Sequence, residues 1–366
     1  MKISVTKINE VNLRIDGDSG LLQEINDHFS FYMEGYRFSP KYKQRMWDGK
    51  IRLFRYAQRT LYIGLLPYVQ EFCKSEGITL EIDPALIVSN SIAPQHTKML
   101  ADSLNLGIKG ESIVPHPHQY MGLYHIMKSK RCCLLSPTSS GKSLVAYMAT
   151  RYVLDTEPGN VLIVVPTVSL VTQMYGDFAD YSCINGWGAE DRVHTISAGD
   201  KKTTDKRVTI STWQSIAKLS ASYFANFSAV IYDEAHLLKG QSLQNIADKC
   251  VNTPYRIGMT GTLDGKANIL VTEGVTGKVK ALVSTKQLMD KGTVAQLKIQ
   301  VAMINYPDYM RKGARQLDYQ AEIKAITGYT ERNNVVADMA IDQSKNTLLL
   351  FNTKSHGKLL FNYIVK

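Results

Sequence analysis

Apolar residues at the start of the chain alternate with polar ones, at Ile3 and Val5 and again at Val11, Leu13 and Ile15, the period-two pattern of half-buried strands. Over residues 21–31 the spacing changes to that of a helix. The next stretch, 36–62, reads as turns and strands, with Trp47-Asp48-Gly49-Lys50 as a hairpin-type turn. Helical spacing returns over 65–76, and 78–82 reads as a strand. From residue 84 to 115 the chain carries Pro84, Pro94, Gly107, Gly110 and Pro115 among polar spacers. These patterns predict a small α+β domain over 1–95 and a linker over 96–111.

Between 112 and 283 short apolar runs alternate with helical patterns. The runs cover 132–135, 161–165, 208–210, 229–232 and 255–258. Buried strands separated by helices predict a parallel α/β sheet covered on both faces. From 284 a further such unit begins, with a strand over 297–304, a helix over 319–343 and a strand over 347–351. The chain shows no internal repeat.

Charge adds a class of partner. The 366 residues include 43 Lys+Arg against 33 Asp+Glu, a net +10. Such an excess favours a polyanion, since each neutralised phosphate releases a condensed counterion; a generally basic protein is the other reading. The five cysteines, Cys73, Cys132, Cys133, Cys183 and Cys250, show no metal-ligand spacing and read as reduced thiols of a reducing compartment. Residues 1–4 lack the apolar core of a signal peptide, and no apolar run approaches the roughly 20 residues of a membrane span. A soluble, intracellular protein without membrane partners is expected.

Candidate chemistry begins directly after the run 132–135. In Pro137-Thr138-Ser139-Ser140-Gly141-Lys142-Ser143, Gly141 lets the chain turn so that backbone N–H groups converge on phosphate oxygens at a helix N-terminus. Lys142 offers a point charge to β/γ-phosphates, and Ser143 a hydroxyl to Mg²⁺. Ser136 stands where the general pattern has its first glycine, and alone this turn leaves a chance Gly-Lys-Ser open. The second signal is the apolar run 229–232 ending in Asp233-Glu234-Ala235-His236. At the carboxyl end of a parallel strand, Asp233 would face the Mg²⁺ held by Ser143. Glu234 would orient and deprotonate an attacking water. An acidic pair at a helix N-terminus is the bland alternative.

Asp233-Glu234-Ala235-His236 resembles motif II of the DEAH-type superfamily-two helicases, and further motifs of that family follow in order. His118-Gln119 stands where the family places a glutamine that reads adenine. Pro166-Thr167-Val168-Ser169-Leu170-Val171-Thr172-Gln173 resembles motif Ia, which grips the nucleic-acid backbone. Thr209-Ile210-Ser211-Thr212-Trp213-Gln214 resembles a second backbone-binding segment, and Gly258-Met259-Thr260-Gly261-Thr262 resembles motif III, which links ATP hydrolysis to strand movement. The resemblance implies a RecA-like sheet, ATP and Mg²⁺ as cofactors, and catalysis by Lys142, Asp233 and Glu234. It implies nucleotide contacts from Gln119 and residues 137–143, with Ser143 and Asp233 as metal ligands. Coupling would run through His236, Thr260 and Thr262, and nucleic-acid contacts would come from Thr167, Gln173 and Thr212.

Within that superfamily, the N-terminal block and the continuation of motif III over 260–269 look like helicases of tailed bacteriophages. The closer likeness implies an ATP-dependent DNA helicase working on branched or forked DNA in the host-cell cytoplasm, in junction migration, fork regression and R-loop unwinding.

Residues 36–52 interleave aromatic with basic side chains, among them Arg37, Lys41, Lys43 and Arg45, with Trp47 beside them. Basic groups suit phosphates, and aromatics stack on bases or wedge a junction. The alternative is a strand hairpin with a solvated basic face and a buried aromatic face. His28, His116, His125, His194 and His356 have no partner spacing and read as structural; Tyr120, Tyr124 and Tyr147 read as packing.

The family places ATP between two RecA-like lobes. Residues 284–366 read as the beginning of the second, with 348–351 and 355–358 resembling motif IV, and no later segment holds the arginine-bearing motif. The expectation is a fragment, or one half of a split motor completed by a second polypeptide, with little activity in this chain alone. An ATP- and DNA-binding module without turnover, or the motor subunit of a restriction or repair complex, are the alternatives.

Overall fold

The computed structural model describes residues 1–87, 91–197, 199–296, 299–314, 316–344 and 346–365. The alternation at the N-terminus builds a four-stranded sheet in the order Thr60–Tyr62, Asn12–Asp16, Lys2–Lys7, Thr79–Ile82. Lys2–Lys7 runs antiparallel to Asn12–Asp16 and parallel to Thr79–Ile82. Helices Ser19–His28 and Leu66–Ser75 bury Leu21, Leu22, Ile25 and Val69 against Ile3, Val5, Leu13 and Ile15. Asp18 starts the first helix by accepting the Leu21 N–H at 3.0 Å.

The basic-aromatic segment is not a hairpin. A short antiparallel pair, Ser30–Tyr32 with Lys50–Arg52, brackets two helical turns, Tyr36–Phe38 and Pro40–Lys43. Gly35 at φ +68° turns the chain into the first, and Pro40, with its fixed φ, opens the second. The aromatic side chains therefore do not share one buried face: Phe38 is 82% and Tyr32 54% exposed.

The stretch read as a linker also has structure. Pro94–Ser103 is a helix, and Gly107–Ile108 pairs with Glu111–Ser112. Ala101 on this helix and Leu104 and Leu106 just beyond its end are buried in the main core, although the polar composition suggests a spacer.

The main core surrounds a seven-stranded parallel sheet in the order Val193–Ile196, Val208–Thr212, Asn160–Val165, Phe227–Asp233, Tyr255–Thr260, Arg131–Leu135, Val279–Ala281. Five of these are the predicted runs. The two edge strands, with His194, Thr195 and Lys280 along them, lack the continuous apolar signature of strands buried on both faces. Helices Lys142–Thr156 and Val168–Tyr181 cover one face with Val145, Met148, Val171 and Phe178. Helix Gln241–Lys249 contributes Leu243, Ile246 and Ala247 to the core on the other. This is the RecA-like layering, with strand carboxyl ends gathered at one edge.

Residues 1–296 form one compact unit, and residues 297–366 form another. In the second, helices Asp308–Ala314, Tyr319–Gly328, Thr330–Ile341 and Lys354–Ile364 are formed. The predicted helix over 319–343 is interrupted at Tyr329. Strands expected over 297–304 (297 and 298 lie outside the described residues) and 347–351 are not formed. A strand is held by the hydrogen-bond ladder of a neighbour, and neither segment has one among the described residues.

Candidate nucleotide and coupling site

Strand Arg131–Leu135 delivers the chain to a loop at the carboxyl edge of the sheet, and helix Lys142–Thr156 leaves it. The loop turns through two left-handed residues, Ser139 at φ +65° and Gly141 at φ +77°. The positive φ favours glycine here, and a Cβ at Gly141 would lie 2.1 Å from Gln119 Nε2 and push that amide off its bond to the loop. Ser136 Oγ donates to Ser140 Oγ at 2.6 Å. Lys142 Nζ folds back to donate to the carbonyls of Ser136 and Pro137, both at 3.2 Å.

Gln119 is buried, at 4% exposure. Its Oε1 accepts the His116 N–H at 2.7 Å and its Nε2 donates to the Ser140 carbonyl at 3.1 Å, where His118 Nε2 also donates at 2.8 Å. One end of the amide therefore braces the loop while the other caps the start of its own helix. The Ser143 hydroxyl lies 2.9 Å from the Tyr181 hydroxyl. Sequence reading missed Tyr181, whose helical spacing with Met174 and Phe178 gives only a packing signal.

Asp233 ends the central strand Phe227–Asp233. Burial, and then the adjacent Glu234 charge, hold its carboxyl above the usual carboxylate range, against the opposing pull of Lys142. Glu234 sits at φ +52°, a left-handed conformation that costs a non-glycine residue about 1–3 kcal/mol and marks a backbone held for a purpose. The turn aims Glu234 Oε2 to 3.1 Å from His236 Nδ1. The same Nδ1 lies 2.9 Å from Thr260 Oγ1, whose proton goes to the Thr262 carbonyl at 2.8 Å. With that proton committed, His236 Nδ1 is the donor to Thr260. The Thr260 carbonyl accepts the Ser136 N–H at 2.9 Å. One fully buried threonine thus touches the phosphate-loop start, the acidic turn and its own following residues.

The remaining sequence candidates are dispersed. Thr167 is exposed and caps helix Val168–Tyr181 through Leu170 N at 3.3 Å, and Gln173 is exposed on that helix. Thr212 is buried, its hydroxyl 2.9 Å from Ser215 Oγ, so it faces the fold. Arg37, Lys41, Lys43 and Arg45 are exposed, while Trp47 is half-buried and donates to the Lys50 carbonyl at 2.9 Å.

The N-terminal sheet is bolted to the central one. Arg131 donates to Glu10 Oε2 at 2.5 Å, and Tyr62 OH donates to Asp248 at 2.9 Å. Tyr68 OH donates to Glu273 Oε2 at 2.5 Å, while Glu273 Oε1 accepts the Val279 N–H at 2.8 Å. Glu273 belongs to helix Lys266–Thr276, which follows the motif III segment and inserts Leu270 and Val271 into the N-terminal core. Gly64 packs on this helix so closely that a Cβ would meet the Glu273 carbonyl oxygen at 1.9 Å.

Comparison with known proteins gives this architecture relatives. Residues 107–265 match the family of the type III restriction enzyme res subunit, and residues 2–83 match the N-terminal region of the DNA helicase UvsW. The chain is 35% identical over 357 residues to the ATP-dependent DNA helicase uvsW of Enterobacteria phage T4, covering 96% of this chain and 71% of that one. A crystal structure of T4 UvsW superposes with a TM-score of 0.72 at 33% identity, over 100% of this chain and 73% of that one. A second structure of the bacteriophage T4 UvsW helicase gives 0.70 at 33% identity, over 77% of this chain and 100% of that one. Joined by both its N-terminal sheet and its RecA-like sheet, the chain belongs to the UvsW helicase family.

Proposed function

We propose that this chain is an ATP-dependent DNA helicase of superfamily two whose nucleotide lies against the loop 136–143. The observation that carries the reading is the bonding of Thr260 to His236 and Ser136, which makes one continuous network of the phosphate loop, the acidic turn and motif III. In this reading Lys142 exchanges the carbonyls of Ser136 and Pro137 for β/γ-phosphate oxygens, and the turned backbone of 137–143 donates its N–H groups. Glu234 accepts the proton of the attacking water. His236, bonded to Glu234 and Thr260, relays the state of the acidic turn to Thr260 and Thr262. Gln119 acts on nucleotide through the loop it braces.

Mg²⁺ fits the donor set. The Ser143 hydroxyl and the Asp233 carboxylate are hard oxygen ligands, and Asp233 is a partly buried acid with no ion-pair partner among the described residues. When bound, the metal supplies charge neutralisation to the phosphates.

The substrate we infer is branched or forked DNA. Support comes from the match of residues 2–83 to the UvsW N-terminal region and from the exposed Arg37, Lys41, Lys43 and Arg45 beside exposed Phe38. Thr167 and Gln173 are the exposed candidates for backbone contact on the RecA-like sheet. We assign 1–95 as the nucleic-acid-binding domain, 96–111 as the connection, 112–283 as the motor domain and 284–366 as the beginning of a second lobe. A reducing cytoplasm agrees with five free thiols, and no helix among the described residues is long and apolar enough to cross a membrane.

Steady-state ATP hydrolysis with and without a forked oligonucleotide tests the reading, using wild-type chain and Glu234→Gln. With residues 284–366 supplying only the beginning of a second lobe, slow hydrolysis with little stimulation by DNA is expected, and the substitution should abolish it. Equal hydrolysis by both would remove Glu234 from the chemistry, and wild-type chain that binds neither ATP nor DNA would end the reading.

A further inference from the structure

At the amino end of the central sheet a pocket of about 590 Å³ lies between the N-terminal sheet and the RecA-like sheet. Five cations line it, Lys7, Lys130, Arg131, Lys278 and Lys280, against one acid, Glu10. Glu10 is already shared by Lys7 at 2.6 Å and Arg131 at 2.5 Å, and Lys130 is held by Glu157 at 3.0 Å. Lys278 lies 5.2 Å from the centre of the Tyr68 ring and has no ion-pair partner among the described residues; neither has Lys280. The nearby Glu273 carboxylate is engaged by Tyr68 OH and Val279 N–H.

Positive charge is therefore in excess within a concave, partly desolvated space. Burial, and then the charge of Arg256 outside the pocket, pull the Arg131 guanidinium down to about 10. In such a site a captured anion is screened less than on open surface, and each cation without a counterion gains from it. Strands Arg131–Leu135 and Tyr255–Thr260 begin at this pocket and end at the nucleotide loop. Five residues of strand separate the two ends by about 16 Å, so this is not the nucleotide site.

We propose that this pocket binds phosphate, and that the phosphodiester backbone of a DNA duplex arm supplies it, with Lys278 and Lys280 as the anion contacts. The choice of DNA rests on the helicase reading; the phosphate chemistry rests on the pocket alone. A duplex held here would be gripped where the N-terminal and motor sheets join, on the side of the sheet away from ATP.

The test is Lys278→Glu/Lys280→Glu, with Lys278→Gln/Lys280→Gln as a milder second variant. Melting temperature serves as the folding control, and a non-hydrolysable ATP analogue reports on the nucleotide site. Anisotropy of a labelled duplex is measured across salt concentrations, and pyrophosphate binding by calorimetry. The expected result is a loss of duplex affinity of about tenfold or more for the Glu pair, with a log–log salt slope shallower by up to about 1.8. The Gln pair should fall between, and ATP-analogue affinity should be unchanged. Loss of pyrophosphate binding with intact duplex binding would support the pocket and assign it a small phosphate. Unchanged binding of both ligands by a folded Glu pair overturns the proposal while leaving the helicase reading in place. Wild-type chain that binds neither DNA nor the ATP analogue fails the helicase reading instead.

Discussion

His236 Nδ1 donates to Thr260 Oγ1 at 2.9 Å, and this contact joins the acidic turn to the strand end that carries the phosphate loop's first hydrogen bond. Both partners sit at carboxyl ends of adjacent strands, so neither can shift without moving the other. Thr260→Val keeps the volume and removes the hydroxyl that bridges His236 and the Thr262 carbonyl; His236 keeps Glu234 as partner, so the cost is that of an ordinary hydrogen bond, about 0.5–1.5 kcal/mol. It should spare ATP-analogue binding and lower the base pairs unwound per ATP hydrolysed. Urea denaturation and paired unwinding and ATPase assays check the two effects; an unchanged ratio would take Thr260 out of coupling.

Lys142→Ala removes the ammonium now resting on the Ser136 and Pro137 carbonyls. Turnover should fall by roughly 100-fold or more, as for loss of one charge-stabilising donor in an active site, with the circular dichroism spectrum unchanged. Near-normal turnover would refute the phosphate-loop assignment.

Asp233→Asn separates stability from activity. An acid whose pKa is raised by folding costs stability above its folded pKa and nothing below its unfolded one. The amide should therefore raise the melting temperature at pH 7 while abolishing hydrolysis. The gain should shrink as pH falls through the folded pKa toward the ordinary value of 3.8. Melting curves of both proteins from pH 4 to 8 measure the difference, and a gain that does not vary with pH would contradict the assignment of charge.

Reversing Lys41, Lys43 and Arg45 together should flatten the salt slope of forked-DNA binding by up to about 2.7 if all three meet phosphates. All three are exposed and free of ion-pair partners among the described residues, so stability should hardly change. An unaltered slope would make this a solvated face.

Tyr68→Phe strips the proton donor from Glu273, a buried carboxylate. A loss of about 1–3 kcal/mol is expected in urea denaturation. A stability equal to wild type would mean that the contact contributes nothing to joining the two sheets.

What the sequence disclosed was mostly local. The phosphate loop and the acidic turn each lie within eight residues, so their chemistry can be read from spacing, and the five inner strands carry unbroken apolar runs. Tyr181 reaches Ser143 from 38 residues away, and Tyr68 reaches Glu273 from 205 away; no period in the sequence records such meetings. Gln119 was read as a nucleotide contact because its position suggests it, yet its amide is directed at the loop backbone. In the N-terminal block the interleaved aromatic and basic residues of 36–52 left a strand hairpin open, whereas Gly35 and Pro40 impose helical turns there. Edge strands escaped notice because polar residues are tolerated along them.

Leu270 and Val271 belong by sequence to the motor and by packing to the small N-terminal sheet. The two sheets therefore share an interior. Removing residues 1–83 would uncover a helix that continues directly from motif III, so the truncated motor should clump or lose shape before it loses a DNA contact. An N-terminal sheet transplanted onto a foreign motor would likewise arrive without the two residues that complete its core. The N-terminal segment is not a detachable cassette, and its evolutionary fate is tied to the helix after motif III.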